Sequence, residues 1–230
     1  MSAVVITFLT GIIGRAPALT AIQLLWINMI MNSFAAIALA TETPTVEVLN
    51  RYPEAKNGSL ITFNMRKMIL FQAIYQIVVC CTLSFAGPLL FFDKQASEMT
   101  KEDDFELNGL VFNTYVFLQL FNEVNCRRLD NKLNIFYNLQ RNYTFMLVIS
   151  FTVIMQIVIM QVGGNVFKTA PIGGNYWALS IVLGCMGLLI GISSRLVPDQ
   201  VFCCANNEAE FAQKREIEIN NGIELAEISQ

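Results

Sequence analysis

The chain has 230 residues, of which 54% are hydrophobic and 14% are charged, and its formal net charge is −3. Soluble domains carry about 25% charged residues, so this composition favours an integral membrane protein. The negative charge argues against a nucleic-acid partner. The absence of histidine excludes histidine-based acid/base catalysis and histidine-ligated metals.

Hydrophobic segments follow one another along most of the chain. The first ends at Arg15 and is shorter than the roughly 20 residues that a spanning helix needs, so we interpret it as the second half of a helix. Five longer segments follow, at 19–40, 68–92, 108–126, 144–163 and 177–196. Backbone groups in lipid must hydrogen-bond internally, which favours helices. The sequence therefore predicts an all-α membrane bundle of five full transmembrane helices plus a truncated N-terminal one.

The charged residues between these segments predict the orientation of the bundle. Segments 41–67 and 127–143 each contain four lysine or arginine residues, whereas 93–107 is mainly acidic. Positive loops stay on the cytosolic side, so we expect 41–67, 127–143 and the C-terminus to be cytosolic. The glycosylation sequons at Asn57 and Asn142 are then predicted to carry no glycan. The protein is expected to be multi-pass, in the plasma membrane or an endomembrane compartment.

Two carboxamides, Asn28 and Asn32, lie four residues apart in the segment 19–40. In a helix this spacing places them on one face, and polar residues in a membrane span usually face a partner helix or an ion path. Amide oxygens are ligands for hard cations such as Ca²⁺. An interhelical hydrogen bond is the alternative, and the spacing alone does not decide between them. Polar neighbours in the same segment are Thr20, Gln23 and Ser33.

A second polar group occurs in the segment 111–128, VFNTYVFLQLFNEVNCRR. Glu123 stands where the predicted helix leaves the membrane, and we expect it to be an interfacial carboxylate paired with a neighbouring arginine. Gln119 lies deeper in the span. It is therefore the better candidate for a secondary contribution to an ion path.

Glycines recur in the last hydrophobic segment, at Gly184, Gly187 and Gly191. Small residues at this spacing allow two membrane helices to approach closely. The pattern predicts tight packing of the last helix and no chemistry.

Residues 199–230 form a polar tail, which we separate from a membrane domain at 1–198. The tail is rich in glutamate and is predicted to be disordered and cytosolic. Calmodulin-target helices are basic and amphipathic, so the acidic charge argues against calmodulin as a partner. The chain contains no glycine-rich phosphate loop, no nucleophile elbow and no Asp-Lys-Thr-Gly motif, so it shows no site for ATP hydrolysis.

Three stretches resemble one family. Residues 17–44, PALTAIQLLWINMIMNSFAAIALATETP, are similar to the fifth-to-sixth helix region of plasma-membrane-type calcium pumps, which are P-type ATPases. Residues 111–125, VFNTYVFLQLFNEVN, resemble their eighth helix, and 155–164, MQIVIMQVGG, their ninth. The resemblance runs from about residue 3 to residue 198, in the same order.

The resemblance implies that the chain is the C-terminal transmembrane part of such a pump, comprising helices five to ten. Ca²⁺ is then the transported ion, while ATP and Mg²⁺ act only through upstream domains that carry the phosphorylated aspartate. The implied partners are the lipid bilayer and the N-terminal remainder of the pump or other membrane subunits. Asn28 matches an asparagine ligand of the family, and Asn32 stands where an aspartate ligand is expected. Gln119 matches the glutamine of the plasma-membrane branch.

A second hypothesis comes from the same substitution. A stand-alone, non-catalytic membrane protein derived from a pump, acting as a structural or regulatory subunit, is also consistent with Asn32 in place of the aspartate. A site that no longer binds a cation does not need the negative charge of the aspartate.

Overall fold

The computed structural model describes residues 2–12, 18–41, 63–92, 100–127 and 142–197, and these ranges are helical with no β-strand. The helices are α1 (Ser2–Ile12), α2 (Ala21–Leu25), a π-helical turn (Trp26–Met31), α3 (Asn32–Ala40), α4 (Phe63–Phe92), α5 (Lys101–Cys126), α6 (Tyr143–Val162), α7 (Gly164–Phe167) and α8 (Gly174–Leu196). From α2 to α3 the chain forms one continuous helix, Ala21–Ala40. The predicted tail, the Asn57 sequon and most of the two basic loops lie outside the described residues.

Four helices in the described ranges are long and apolar enough to cross a membrane: Ala21–Ala40, Met65–Phe92, Tyr143–Val162 and Gly174–Leu196. This confirms the predicted class, an all-α integral membrane protein. The remaining predicted span, 108–126, also lies in a helix, α5. This helix contains more polar residues and does not belong to these four.

The first turn of α5 departs from the sequence prediction. Residues 93–107 were expected to form a loop, yet α5 begins at Lys101. Thr100 and Asp103 form a capping box, because the Asp103 carboxylate accepts from the Thr100 amide at 3.1 Å and the Thr100 hydroxyl accepts from the Asp103 amide at 3.4 Å. Acidic residues in a first turn also favour the positive end of the helix dipole. The acidic stretch therefore starts the helix.

α5 is the centre of the bundle, with α8, α4 and α6 packed around it. The side chains of its middle part, 109–118, are buried, and Leu110, Phe112, Tyr115 and Leu118 are at most 1% exposed. Enclosure explains how a helix of moderate polarity lies inside an apolar bundle. Each polar side chain in this middle part is surrounded by protein and needs a hydrogen-bond partner there.

The glycines of α8 face α5 and α4 closely, which confirms the predicted tight packing. A Cβ added at Gly184 would lie 2.5 Å from Cδ2 of Phe121, and one added at Gly191 would lie 2.5 Å from Oδ1 of Asn125. The side-chain nitrogen of Asn125, Nδ2, donates to the carbonyl of Gly187 at 3.1 Å. Gly191 thus makes room for a carboxamide, and Gly187 supplies the acceptor for it.

Two long cationic side chains join the helix ends on one side of the bundle. Lys67 Nζ donates to the carbonyl of Val197 at 2.9 Å, and Arg195 Nη2 donates to the carbonyl of Asn125 at 3.1 Å. The ammonium group of Lys67 thus lies at the C-terminal end of α8, and the guanidinium group of Arg195 lies at the C-terminal end of α5. The helix dipole favours positive charge at both places. The ends of α5 and α8 and the start of α4 therefore meet.

Asn142 has a structural role that bears on its sequon. Its Oδ1 caps α6 by accepting from the amide of Phe145 at 3.1 Å, and its Nδ2 is buried. An N-linked glycan is attached through that nitrogen. The cap supports the prediction that Asn142 carries no glycan.

Replacing Gly191 with alanine is expected to lower the free energy of unfolding by about 1–3 kcal/mol, because the new methyl group overpacks the seam and displaces the Asn125 carboxamide. The measurement is thermal unfolding in detergent micelles. Gly174→Ala is the matched control, since a Cβ there meets no atom within 4 Å. Equal melting temperatures for the two variants would contradict the packing account.

Candidate functional site

The helix Ala21–Ala40 changes its winding at the predicted amide pair. The amide of Asn32 donates to the carbonyl of Ile27, five residues back, which defines a π-helical turn. Trp26, Ile27 and Met31 point into the bundle and are at most 6% exposed. Asn28 and Asn32 are exposed on the other side. π-helical turns in α-helices frequently occur at functional sites.

The two asparagines contact each other. Asn32 Nδ2 donates to Asn28 Oδ1 at 3.4 Å, so the predicted shared face is confirmed. The bond lies within one helix, and therefore it is not the interhelical bond of the alternative hypothesis. The described part of the chain leaves this face uncovered. The pair lies in the middle of a membrane-capable helix, where polar side chains normally face other protein groups. The cation-site hypothesis stays a prediction.

The polar neighbours of the pair have other roles. Gln23 is fully buried, accepts from the Thr20 amide at 2.8 Å and donates to the carbonyl of Phe167 at 2.9 Å. Ser33 donates its hydroxyl hydrogen to the carbonyl of Met29. Thr20 and Gln23 therefore cap the helix and hold a loop, and they do not join the amide pair.

Gln119 belongs to a closed polar network of three helices. Its Nε2 donates to the Tyr115 hydroxyl at 2.8 Å and to Oε1 of Gln76 at 3.5 Å. The Ser2 hydroxyl donates to the same Gln76 oxygen at 2.5 Å and bonds the Tyr115 hydroxyl at 2.9 Å. We call Ser2, Gln76, Tyr115 and Gln119 the amide–hydroxyl network. All four members are uncharged.

A cavity of about 510 Å³ borders this network. The carboxamides that line it are Gln72, Gln76, Gln119, Asn122 and Asn125. Its lining residues include no charged side chain, and neither Asn28 nor Asn32 is among them. The structure thus places Gln119 at the wall of a mainly apolar cavity, and it does not bring Gln119 together with the asparagine pair.

Glu123 lies in the last turn of α5, and its side chain is buried within the protein. Its side chain is 8% exposed, and Oε1 has no hydrogen-bond partner in the described ranges. The guanidinium of Arg127 lies over the ring of Phe145, 5.5 Å from the centroid. α8 and α6 pack against α5, and this helix ends three residues after Glu123, at Cys126. The position of Glu123 at the membrane interface and its pairing with an arginine stay predictions.

Sequence reasoning missed the partners of Gln119. A signal existed, because Gln72 and Gln76 have the same four-residue spacing within an apolar helix as the asparagine pair. Ser2 and Tyr115 gave no such signal, since a single hydroxyl in an apolar segment has many roles.

These features define an integral membrane protein of the helical-bundle class with carboxamides and hydroxyls gathered at its centre. The chain belongs to the family described as Cation transporting ATPase, C-terminus, whose model matches residues 16–197. The predicted resemblance to the C-terminal membrane part of calcium-transporting ATPases is confirmed.

Individual relatives agree with the family. The chain is 45% identical over 204 residues to Calcium-transporting ATPase 2 of Cryptococcus neoformans, covering 88% of this chain and 14% of that protein. The protein of the same name in Schizosaccharomyces pombe is 43% identical, with 86% and 15% covered. Probable calcium-transporting ATPase 6, plasma membrane-type, of Oryza sativa is 39% identical, with 85% and 19% covered. The chain thus spans less than a fifth of each of these relatives.

Tyr115→Phe is expected to lower the free energy of unfolding by about 1 kcal/mol, because Gln119 and Ser2 both lose a buried hydrogen bond. Thermal unfolding in micelles measures the change. Tyr176→Phe is the control, because it also removes one hydroxyl and keeps the edge-on contact of the ring with Phe91, at 5.5 Å between centroids. A loss no greater than in this control would show that the network does not stabilise the bundle.

Proposed function

We propose that the chain is the transport-domain portion of a calcium-pumping P-type ATPase, with Asn28 and Asn32 among the calcium ligands. The observation that carries the proposal is the exposed amide pair at the π-helical turn Trp26–Met31. A membrane helix that presents two carboxamides on an uncovered face needs a polar partner there. Calcium accepts amide oxygens as ligands.

The asparagine pair supplies only part of a calcium site. Calcium takes six to eight oxygen ligands, so other helices must contribute most of them. The uncovered side of Ala21–Ala40 is where those helices would pack. Neither asparagine carries charge, so the negative charge that holds a divalent cation must come from elsewhere in the pump.

Gln119 is proposed as a secondary group on the ion path. The amide–hydroxyl network and the bordering cavity are neutral, and neutral oxygens allow an ion to pass without holding it tightly. The support for this role is that Gln119 belongs to the network and also lines the cavity.

Within the family, we propose that α1 is the end of the fifth helix and that the five longer helices, α5 included, are helices six to ten. Residues 1–198 then form the membrane domain, and 199–230 form a cytosolic tail. The clustered ends of α4, α5 and α8, with Lys67 and Arg195, are on the cytosolic side, as positive charge favours. ATP hydrolysis with Mg²⁺ occurs in domains outside this chain.

The stand-alone subunit is the second candidate, favoured by Asn32 at the expected aspartate position. An antibody raised against the last residues of the chain separates the two. A native polypeptide near 25.8 kDa without a calcium-dependent phosphoenzyme supports the subunit, and a much larger phosphorylated polypeptide supports the pump.

Asn32→Asp, introduced into the native polypeptide, is expected to raise the apparent calcium affinity of transport, by roughly tenfold, since it adds a charged ligand. Asn28→Leu is expected to lower that affinity. Calcium-dependent uptake into vesicles measures both.

Two control variants use an exposed amide on another helix. Gln161 lies near the end of α6, so Gln161→Glu adds the same charge and Gln161→Leu removes the same group. If the Asn28 and Asn32 variants behave like these controls, the asparagines are not ligands and the proposal is wrong.

A further inference from the structure

Gln23 occupies a position that its local role does not explain. As the third residue of α2 it completes a capping box with Thr20, which needs only its backbone amide and its side-chain oxygen. The capping box does not require burial, yet Gln23 is fully buried. Its remaining group, Nε2, points across the bundle.

That nitrogen holds the loop between α6 and α8. It donates to the carbonyl of Phe167, the last residue of α7, at 2.9 Å. The chain turns immediately afterwards, because Lys168 adopts the left-handed conformation with φ of 52°. The bond therefore fixes the loop at its turning point.

The same loop is also fixed to the central helix. The ring of Phe167 stacks on that of Phe112 with centroids 6.1 Å apart, and the amide of Ala170 donates to the carbonyl of Phe105 at 3.3 Å. Gly109 permits this approach, since a Cβ there would lie 3.3 Å from the Ala170 carbonyl oxygen. Gln23 thus connects the helix Ala21–Ala40 to α5 through this loop.

Few other polar contacts hold the helix Ala21–Ala40 in place. Among the described residues, the Gln23–Phe167 bond is the one hydrogen bond that joins this helix to another helix or loop. Its remaining contacts are apolar, such as the edge-on rings of Phe34 and Phe151 at 5.3 Å. Apolar contacts permit sliding and rotation, whereas a hydrogen bond fixes register.

We propose that Gln23 is a positioning residue that sets the register of Asn28 and Asn32 against the bundle. Asn28 follows Gln23 by five residues, or about 7.5 Å along a helix, with the π-helical turn between them. A rotation of the first turn therefore passes directly to the amide pair. The inference rests on the proposed function for its consequence on calcium, but not for the contact itself.

Three variants of the native polypeptide separate positioning from capping. Gln23→Met keeps the length of the side chain and removes both of its hydrogen bonds. Gln23→Glu keeps the acceptor for Thr20 and, as a carboxylate, loses the donor to Phe167. Thr20→Ala weakens the cap and leaves the Gln23–Phe167 bond in place.

Hydrogen–deuterium exchange of the protein in lipid nanodiscs is the test. In both Gln23 variants the amides of 26–33 and of 163–170 are expected to exchange faster together, by roughly threefold to tenfold, the factor that one lost hydrogen bond gives. Thr20→Ala is expected to speed exchange only in the first turn, 21–25. The apparent calcium affinity of the Gln23 variants falls, with maximal transport unchanged.

Two results would overturn the inference: exchange at 26–33 that stays at the wild-type rate, or an equal response in Thr20→Ala. If Gln23→Met does not fold, Gln23→Glu gives the same readout. A failed proposed function is distinguishable, because Asn28→Leu and Asn32→Asp would then leave calcium dependence unchanged while the exchange response to Gln23 persists.

Discussion

A polar side chain among apolar membrane helices must find its hydrogen-bond partner inside the protein, because lipid offers none. This constraint explains why α5, the most polar of the long helices, is the most enclosed. It also explains the amide–hydroxyl network, in which three helices share one set of donors and acceptors. The asparagine pair meets the constraint only by a bond within its own helix.

The positions of the long helices were predictable because the length of an apolar run is a local property that the bilayer thickness fixes. The start of α5 was not, since its acidic first turn resembled a loop until Thr100 and Asp103 were seen to cap it. Gly187 and Gly191 were correctly predicted to allow close packing. Their contact with the Asn125 carboxamide was not predictable, because Asn125 is 62 residues away from Gly187 in sequence and a local pattern does not relate the two.

The candidate site shows the same division. The shared face of Asn28 and Asn32 followed from helix geometry alone. The separate role of Gln23 did not, because its partner Phe167 is 144 residues away. The proposed ligand role of the asparagine pair comes from the family. The structure shows which other polar residues already have hydrogen-bond partners and which helix face is uncovered.

Calcium-induced infrared difference spectroscopy on the native polypeptide, with ¹³C at the asparagine side-chain carbonyl, tests the ligand assignment directly. Coordination weakens the carbonyl bond, so a band shifted by the label is predicted when calcium binds. That band is predicted to disappear when Asn28 and Asn32 are both replaced by leucine. A calcium-induced asparagine band that survives the double replacement, or no such band in the unmodified protein, would contradict the account.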